Sequence, residues 1–316
     1  MLNSITSVLS YTDRAISATP AGSRKIALAR TLIASGQLSV LLFTDWHALF
    51  VPTGGGSFGP SCNGVGRVGA YCMMYDSVGL VFPSVVMIVG LVIVLSGFFP
   101  RYTGILHAWV TLSISPATSL PDGGEAVSQI VVVILAVVLL SDGRLNHWHA
   151  TTSSGSPLLP VTWAASHLLR FQLIWVYLNA AISKTSVPEW KDGTAVYFIT
   201  LDPMFGTSGP FGPIFDWLVN IPVFSLLMTW GAIVIEVAIA LLLLGSARWR
   251  PAAFWLAVLL HGMFIAMIGL WSFAFVMIGA VLAATGPTLK LYDIAFWNWF
   301  DERGSNSLSN MEAVRG

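Results

Sequence analysis

Charge is what this sequence has least of. Asp, Glu, Lys and Arg make up 9% of its 316 residues, whereas soluble domains carry about 25%. So few charges cannot solvate the outside of a globule this size. With 55% hydrophobic residues and a mean hydropathy of +0.77, the chain reads as an integral membrane protein. Its 15 basic and 15 acidic residues balance, and the basic ones are scattered in ones and twos, so no basic patch marks a nucleic-acid partner. Hydrolytic motifs are missing as well. There is no G-x-S-x-G, no H-E-x-x-H and no membrane aspartyl pair, which leaves peptidase chemistry without support. No lipidation motif occurs at either end. The first 25 residues lack the continuous apolar core of a cleavable signal; they read as an amphipathic cytoplasmic segment ended by Pro20, Ala21 and Gly22. No internal repeat is visible, and the longest connection, 185–222, has room for a small cap at most.

Apolar runs of roughly 17 to 25 residues are the spanning unit, because lipid offers no partner to a backbone polar group. About eight are present, at 26–50, 78–99, 102–120, 126–140, 161–184 and 223–245, with a closing pair across 251–286. The expected fold is all-α: a polytopic integral membrane helical bundle of six to eight transmembrane helices occupying 26–286. An interfacial helix and a disordered tail are expected over 287–316, where Phe296, Trp297, Trp299 and Phe300 adjoin a charged cluster. Loop charges orient the bundle. Arg14, Arg24, Lys25, Arg101, Arg144, Arg248, Arg250 and Lys290 fall in alternate connections; the opposite ones hold Asp76, Asp122, Glu125, Glu189, Asp192, Asp202 and Asp216 against only Arg67 and Lys191. Eight spans then put both termini in the cytoplasm of a bacterial plasma membrane protein.

The chain has two cysteines, Cys62 and Cys72, in a glycine-rich connection assigned by charge to the oxidising side. A structural disulfide is the leading reading. A redox couple is less favoured because the spacing is not C-x-x-C, and two free thiols remain the other alternative.

Ionisable groups inside spans are expensive. Arg30 and Asp45 lie near opposite ends of the first span, where snorkelling can carry both to the interface. Glu236 lies mid-span in WGAIVIEVAIALLLL and needs a partner or a proton. In the fifth span Arg170, Tyr177 and Lys184 recur every seven residues, which at about 100° per residue places them on one helix face. Gln172 and Asn179 fall on the opposite side, so this helix is expected to pack against polar groups on both. Lys184 is either an interfacial anchor stopped by Pro188 or a partly desolvated ammonium acting as a base. His107 and His261 either relay protons or bond a neighbouring carbonyl. His147 and His149 have a spacing too weak for a metal site without a third ligand and read as an exposed or interfacial pair.

The run LLRFQLIWVYLNAAISKTSVPEWKDGTAVYF (168–198) resembles the HTTM membrane domain shared with vitamin K-dependent gamma-carboxylases, and ARTLIASGQLSVLLF (29–43) resembles that domain's first helix. RYTGILHAWVTLSISPATSLPDGGEAVSQIVVVILAVVLLSDGRLNHWH, with the paired cysteines before it, resembles the SdpB family. That resemblance implies a multi-pass maturation factor for a secreted sporulation-delaying antimicrobial peptide. Its implied partners are an SdpA-like protein, an SdpC-like peptide precursor and membrane lipid. The carboxylase resemblance implies a catalytic base at Lys184, in A-I-S-K-T-S-x-x-x-W-x-x-G, with Tyr177, Arg170, Glu236 and His261 setting its environment. Trp190 and His107 would then lie toward a cofactor. No cofactor is legible in the residues themselves; a reduced quinone is implied by this resemblance alone. The chain lacks the large extracytoplasmic part with which carboxylases hold their substrates. A transporter or a peptide-binding immunity protein is the further alternative, although no inverted repeat supports it.

Overall fold

The computed structural model describes residues 10, 13–17, 19–20, 22–51, 58–118, 123–149, 156–203 and 206–286. The aromatic segment expected at 287–316 and most of the N-terminal segment lie outside the described residues. Those described form an all-helical protein with no strand, apart from one isolated bridge between Phe98 and Asn146.

Eight long helices build the bundle: α1 (Arg24–Phe43), α2 (Val81–Leu95), α3 (Pro100–Ile114), α4 (Gly123–Leu139), α5 (Leu159–Lys184), α6 (Pro222–Leu244), α7 (Arg250–Ile268) and α8 (Trp271–Ala284). By length and composition, Arg24–Phe43, Pro222–Leu244 and Ala247–Ile268 can each cross a membrane. Val81–Leu95, Gly123–Leu139 and Trp271–Ala284 are apolar but shorter. Large side chains stand exposed along these helices, among them Val85, Val89 and Val92 on α2 and Leu227, Val234 and Leu241 on α6. Such surface suits a lipid solvent and would be a liability in water.

Local sequence sets the helix ends. The first apolar run was expected to continue to residue 50, but α1 stops at Phe43. Asp45 then caps a separate short helix, Trp46–Leu49, by accepting the His47 N–H at 2.9 Å. This backbone bond, aided by the His47 ring, holds the exposed Asp45 carboxyl below the usual range. Glycine at φ +68° (Gly79) ends the helix Ala70–Val78 and separates it from α2. Cys62 and Cys72 are joined as a disulfide in this connection.

Helix α8 packs lengthwise on α1, and small residues permit the approach. A Cβ on Gly36 would lie 2.7 Å from the Ser272 carbonyl oxygen, and one on Gly279 2.7 Å from that of Ala29. Close backbone approach through small residues is how helices associate where apolar burial gives no drive. One large apolar cluster joins α1, α4, α5, α6, α7 and α8, while a second gathers α1, α2 and α3. A buried polar network crosses between them. Gln37 donates to Thr111 Oγ1 (3.0 Å) and Ser128 Oγ (3.2 Å), and its Oε1 meets His107 Nε2 at 2.9 Å. His107 thus belongs to an internal hydrogen-bond network in the α1/α3 half of the bundle.

Connections gather at two ends. At one end Arg24 Nε donates to the Trp148 carbonyl and the His147 N–H to that of Gly97, each at 2.9 Å. At the other, Ser61 N–H bonds the Ala117 carbonyl at 2.9 Å and Gly209 N–H that of Met267 at 3.1 Å. Arg101, Arg144, Arg248 and Arg250 lie toward the first end; Glu189, Asp192, Asp202 and Asp216 lie toward the second.

Two expectations about polar residues are corrected. Arg30 does not snorkel: it is completely buried, and its guanidinium nitrogens have no hydrogen-bond partner among the described residues. Its side chain is enclosed by packing, with Asp142 within electrostatic reach. His147 is also fully buried, edge-on to Trp148, while His149 alone is exposed. Burial, with the Arg30 and Arg144 charges nearby, depresses the His147 pKa to about 3.

Candidate functional site

Helix α5 carries the polar face expected of it. Arg170 and Tyr177 are buried and Lys184 is half-buried. Its opposite side differs from expectation: Asn179 is exposed, beside exposed Phe171 and Trp175, and half-buried Gln172 makes no side-chain hydrogen bond among the described residues.

The turn after Lys184 is built by its sequence. Pro188 opens a short helix, Pro188–Asp192, with its fixed φ and missing N–H. Gly193, at φ +84°, closes it. Asp192 Oδ1 accepts both the Thr194 N–H (3.0 Å) and the Thr194 hydroxyl (2.6 Å). This fold-back sets the Trp190 ring 5.2 Å from Lys184 Nζ, in cation–π range.

Lys184 Nζ meets both carboxylate oxygens of Glu236, at 2.7 and 2.9 Å. Glu236 comes from the middle of α6, so the partner its position requires is the last residue of α5. About two turns deeper, Tyr177 Oη lies 2.9 Å from His261 Nε2 of α7. His261 is packed edge-on against Phe264 and Phe273, and its Nδ1 is buried with no hydrogen-bond partner among the described residues. A phenol and a neutral imidazole carry one O–H and one N–H between them. Their mutual bond uses one proton, so the other donor is free for a group entering from the bundle. The Lys184 charge is felt at His261, and that of Glu236 at Tyr177.

A cavity of about 670 Å³ opens beside these groups. Lys184, Glu189, Trp190 and Asp202 supply its polar rim, and Phe198, Met228, Met263, Phe264 and Phe273 much of its apolar wall. Part of the roof is the small cap formed by Ala195–Leu201 and Gly212–Val219, packed through Val196, Phe215 and Val219 on Met267 and Ile268. An apolar chamber with few convergent polar groups is the usual form of a small-molecule or side-chain site. Of the acid–base pair only Lys184 reaches the wall, where its ammonium, with Glu236 behind it, can hold or move a proton.

The structure therefore brings Lys184, Glu236, Tyr177, His261 and Trp190 together. Arg170 does not join them. It lies 14 residues before Lys184, about 21 Å along the helix axis, and donates from Nε to the Ala284 carbonyl at 3.0 Å. His107 is likewise elsewhere, bonded to Gln37. Sequence reading missed Gln37 itself. Its position seven residues after Arg30 was the available signal, being the same heptad spacing that marks α5.

The chain is similar to two proteins of Bacillus subtilis (strain 168). It is 29% identical over 290 residues to the uncharacterized protein YitO, covering 89% of this chain and 93% of that one. It is also 29% identical over 268 residues to the sporulation-delaying protein SdpB, covering 83% and 80% respectively. The second match supports the SdpB-family resemblance over nearly the whole bundle. No family model and no solved structure matches the chain.

Proposed function

We propose that this protein is a membrane maturation factor for a secreted peptide toxin of the sporulation-delaying type, and that the Lys184–Glu236 cavity receives the precursor. The observation that carries the reading is the 29% identity to SdpB over 83% of the chain, and a pre-formed apolar cavity edged by Lys184, itself bonded to Glu236 behind it, supports it. Acidic residues Glu189, Asp192, Asp202 and Asp216 surround that end of the bundle, a field that attracts a basic peptide. All eight long helices cross the membrane in this reading, with both termini cytoplasmic and the disulfide and cavity on the outer side. Separation of basic and acidic connections between the two ends supports that orientation. An SdpA-like protein is the proposed partner. Comparison of the secreted peptide from cells with and without this protein, by mass spectrometry, tests the assignment. An altered mass or lost secretion is expected; identical mature peptide in both would sink it.

A second reading is favoured by the cavity wall. The rings of Trp190, Phe264 and Phe273 with Met228 and Met263 suit a flat, apolar, lipid-soluble cofactor such as a reduced quinone, with Lys184 beside it as base. When bound, such a group would supply the redox driving force, while Lys184 and Glu236 would hold the proton. Photo-labelling with a quinone analogue separates the readings: specific label on the Trp190 peptide supports this one, and label spread over lipid-facing helices removes it.

A further inference from the structure

At the opposite end of the bundle from Lys184 lies a second cavity, of about 560 Å³, whose charged lining is all of one sign. Lys25 enters from the start of α1, Arg170 from α5 and Arg250 from the start of α7, with His167 beside them and no carboxylate among the lining residues. Lys25 and Arg170 are buried, each below a tenth exposed. Their protein partners are neutral carbonyls. Lys25 Nζ donates to Gly286, Arg170 Nε to Ala284, and Arg250 Nη2 makes a long contact of 3.5 Å to Gly245. Among the described residues none of the three forms an ion pair, and Arg250 Nε is buried without a hydrogen-bond partner.

Capping of α8 accounts for part of this arrangement. The C-terminus of a helix carries roughly half a negative charge; Ala284 is the last residue of α8 and Gly286 lies just past its cap, Thr285. Half a charge does not balance three cations, and Arg170 and Arg250 stand near enough to repel one another. Buried charge persists when it is paired. The missing partner must carry several acceptor oxygens, because it has to satisfy two guanidinium forks and an ammonium from three directions. Ile26, Leu139, Trp163 and Leu282 provide an adjoining apolar wall.

We propose that this cavity is a binding site for a phosphate group, held by Lys25, Arg170 and Arg250. Two sources share that chemistry: the headgroup of an anionic phospholipid, whose chains would lie along the apolar wall, and a soluble phosphate. The site is independent of the peptide-maturation reading. It is tested on the full-length protein in neutral detergent, by native mass spectrometry and thermal unfolding with phosphatidylglycerol, phosphatidylcholine or inorganic phosphate at constant ionic strength. Phosphatidylglycerol is expected to remain bound and to raise the melting temperature, and Arg250→Gln to weaken its binding by about tenfold or more, the usual scale for a charge-assisted hydrogen bond. Equal protection by inorganic phosphate, also lost in Arg250→Gln, assigns the site to a soluble anion. Lys25→Gln is the second variant should Arg250→Gln fold poorly. No preference for the phosphate anions over phosphatidylcholine, or a preference that survives the well-folded variant, overturns the proposal.

Discussion

The ammonium of Lys184 and the carboxylate of Glu236 meet at 2.7 Å across 52 residues of sequence, joining the end of α5 to the middle of α6 beside an apolar cavity. Lys184 is a fifth exposed at its side chain and Glu236 less than a tenth, so the pair is shielded on one side and open on the other. Removing either partner strands the second. Lys184→Met and Glu236→Gln are each expected to lower stability by about 1–3 kcal/mol, discounted for this exposure from the cost of breaking a fully buried pair. The double variant should recover part of that loss. Thermal unfolding of the four proteins in one detergent provides the double-mutant cycle; strictly additive losses would mean the pair contributes no coupling.

The Cys62–Cys72 bridge closes a separation of 10 residues. Loop-closure entropy for a ring of this size gives about 2–3 kcal/mol. The Cys62→Ser/Cys72→Ser double variant should therefore melt lower, and a reductant should lower the wild type to the same temperature. A reductant effect on the double variant would point to another cause.

Gly279 in the α1–α8 contact and Gly262 outside it are expected to respond oppositely to a methyl group. Gly279→Ala places a methyl 2.7 Å from the Ala29 carbonyl oxygen and is expected to cost about 1–3 kcal/mol through overpacking. Gly262→Ala on α7 meets nothing within 4 Å and should be neutral or stabilising by up to about 1 kcal/mol from helix propensity alone. Melting temperatures in detergent decide it, and equal behaviour of the two variants would contradict the packing described.

His147 gives the protein an acid-sensitive connection. Burial and the Arg30 and Arg144 charges hold its folded pKa near 3, below the ordinary value of about 6.5. The unfolded chain therefore binds the extra proton first. The neutral ring's contribution is intact above about pH 6.5 and is lost progressively as pH falls toward 3. Stability of His147→Leu should fall less steeply over that window than stability of the wild type, as read from melting temperature against pH. Parallel curves would place the acid sensitivity elsewhere.

Much of the bundle was legible because lipid imposes a single rule, that apolar runs be helical. All eight runs contain one long helix, and the heptad of Arg170, Tyr177 and Lys184 falls on the packed side of α5. Helix ends were less legible. Asp45 terminates an apolar run by capping, which hydropathy does not weigh, and Gly79, by its positive φ, separates another from the short helix Ala70–Val78 before it. Tertiary pairing was legible only in outline: the position of Glu236 demanded a partner, but nothing local named Lys184. Arg30 and His147 were misplaced because snorkelling and loop exposure are defaults for isolated residues, and both are enclosed by packing between distant segments. A shared helix face also said nothing of distance along it, and for that reason Arg170 was grouped with a site at the other end of α5.

The central claim is that Lys184, held by Glu236 at the cavity wall, acts on a peptide. Mass spectrometry of the secreted peptide from cells carrying wild-type or Lys184→Met protein, at matched membrane abundance, tests it most directly. The account predicts that a defined cleavage or mass change present with the wild type is lost with Lys184→Met. An identical mature peptide from both would contradict it and return Lys184 to the role of an anchor at the membrane interface.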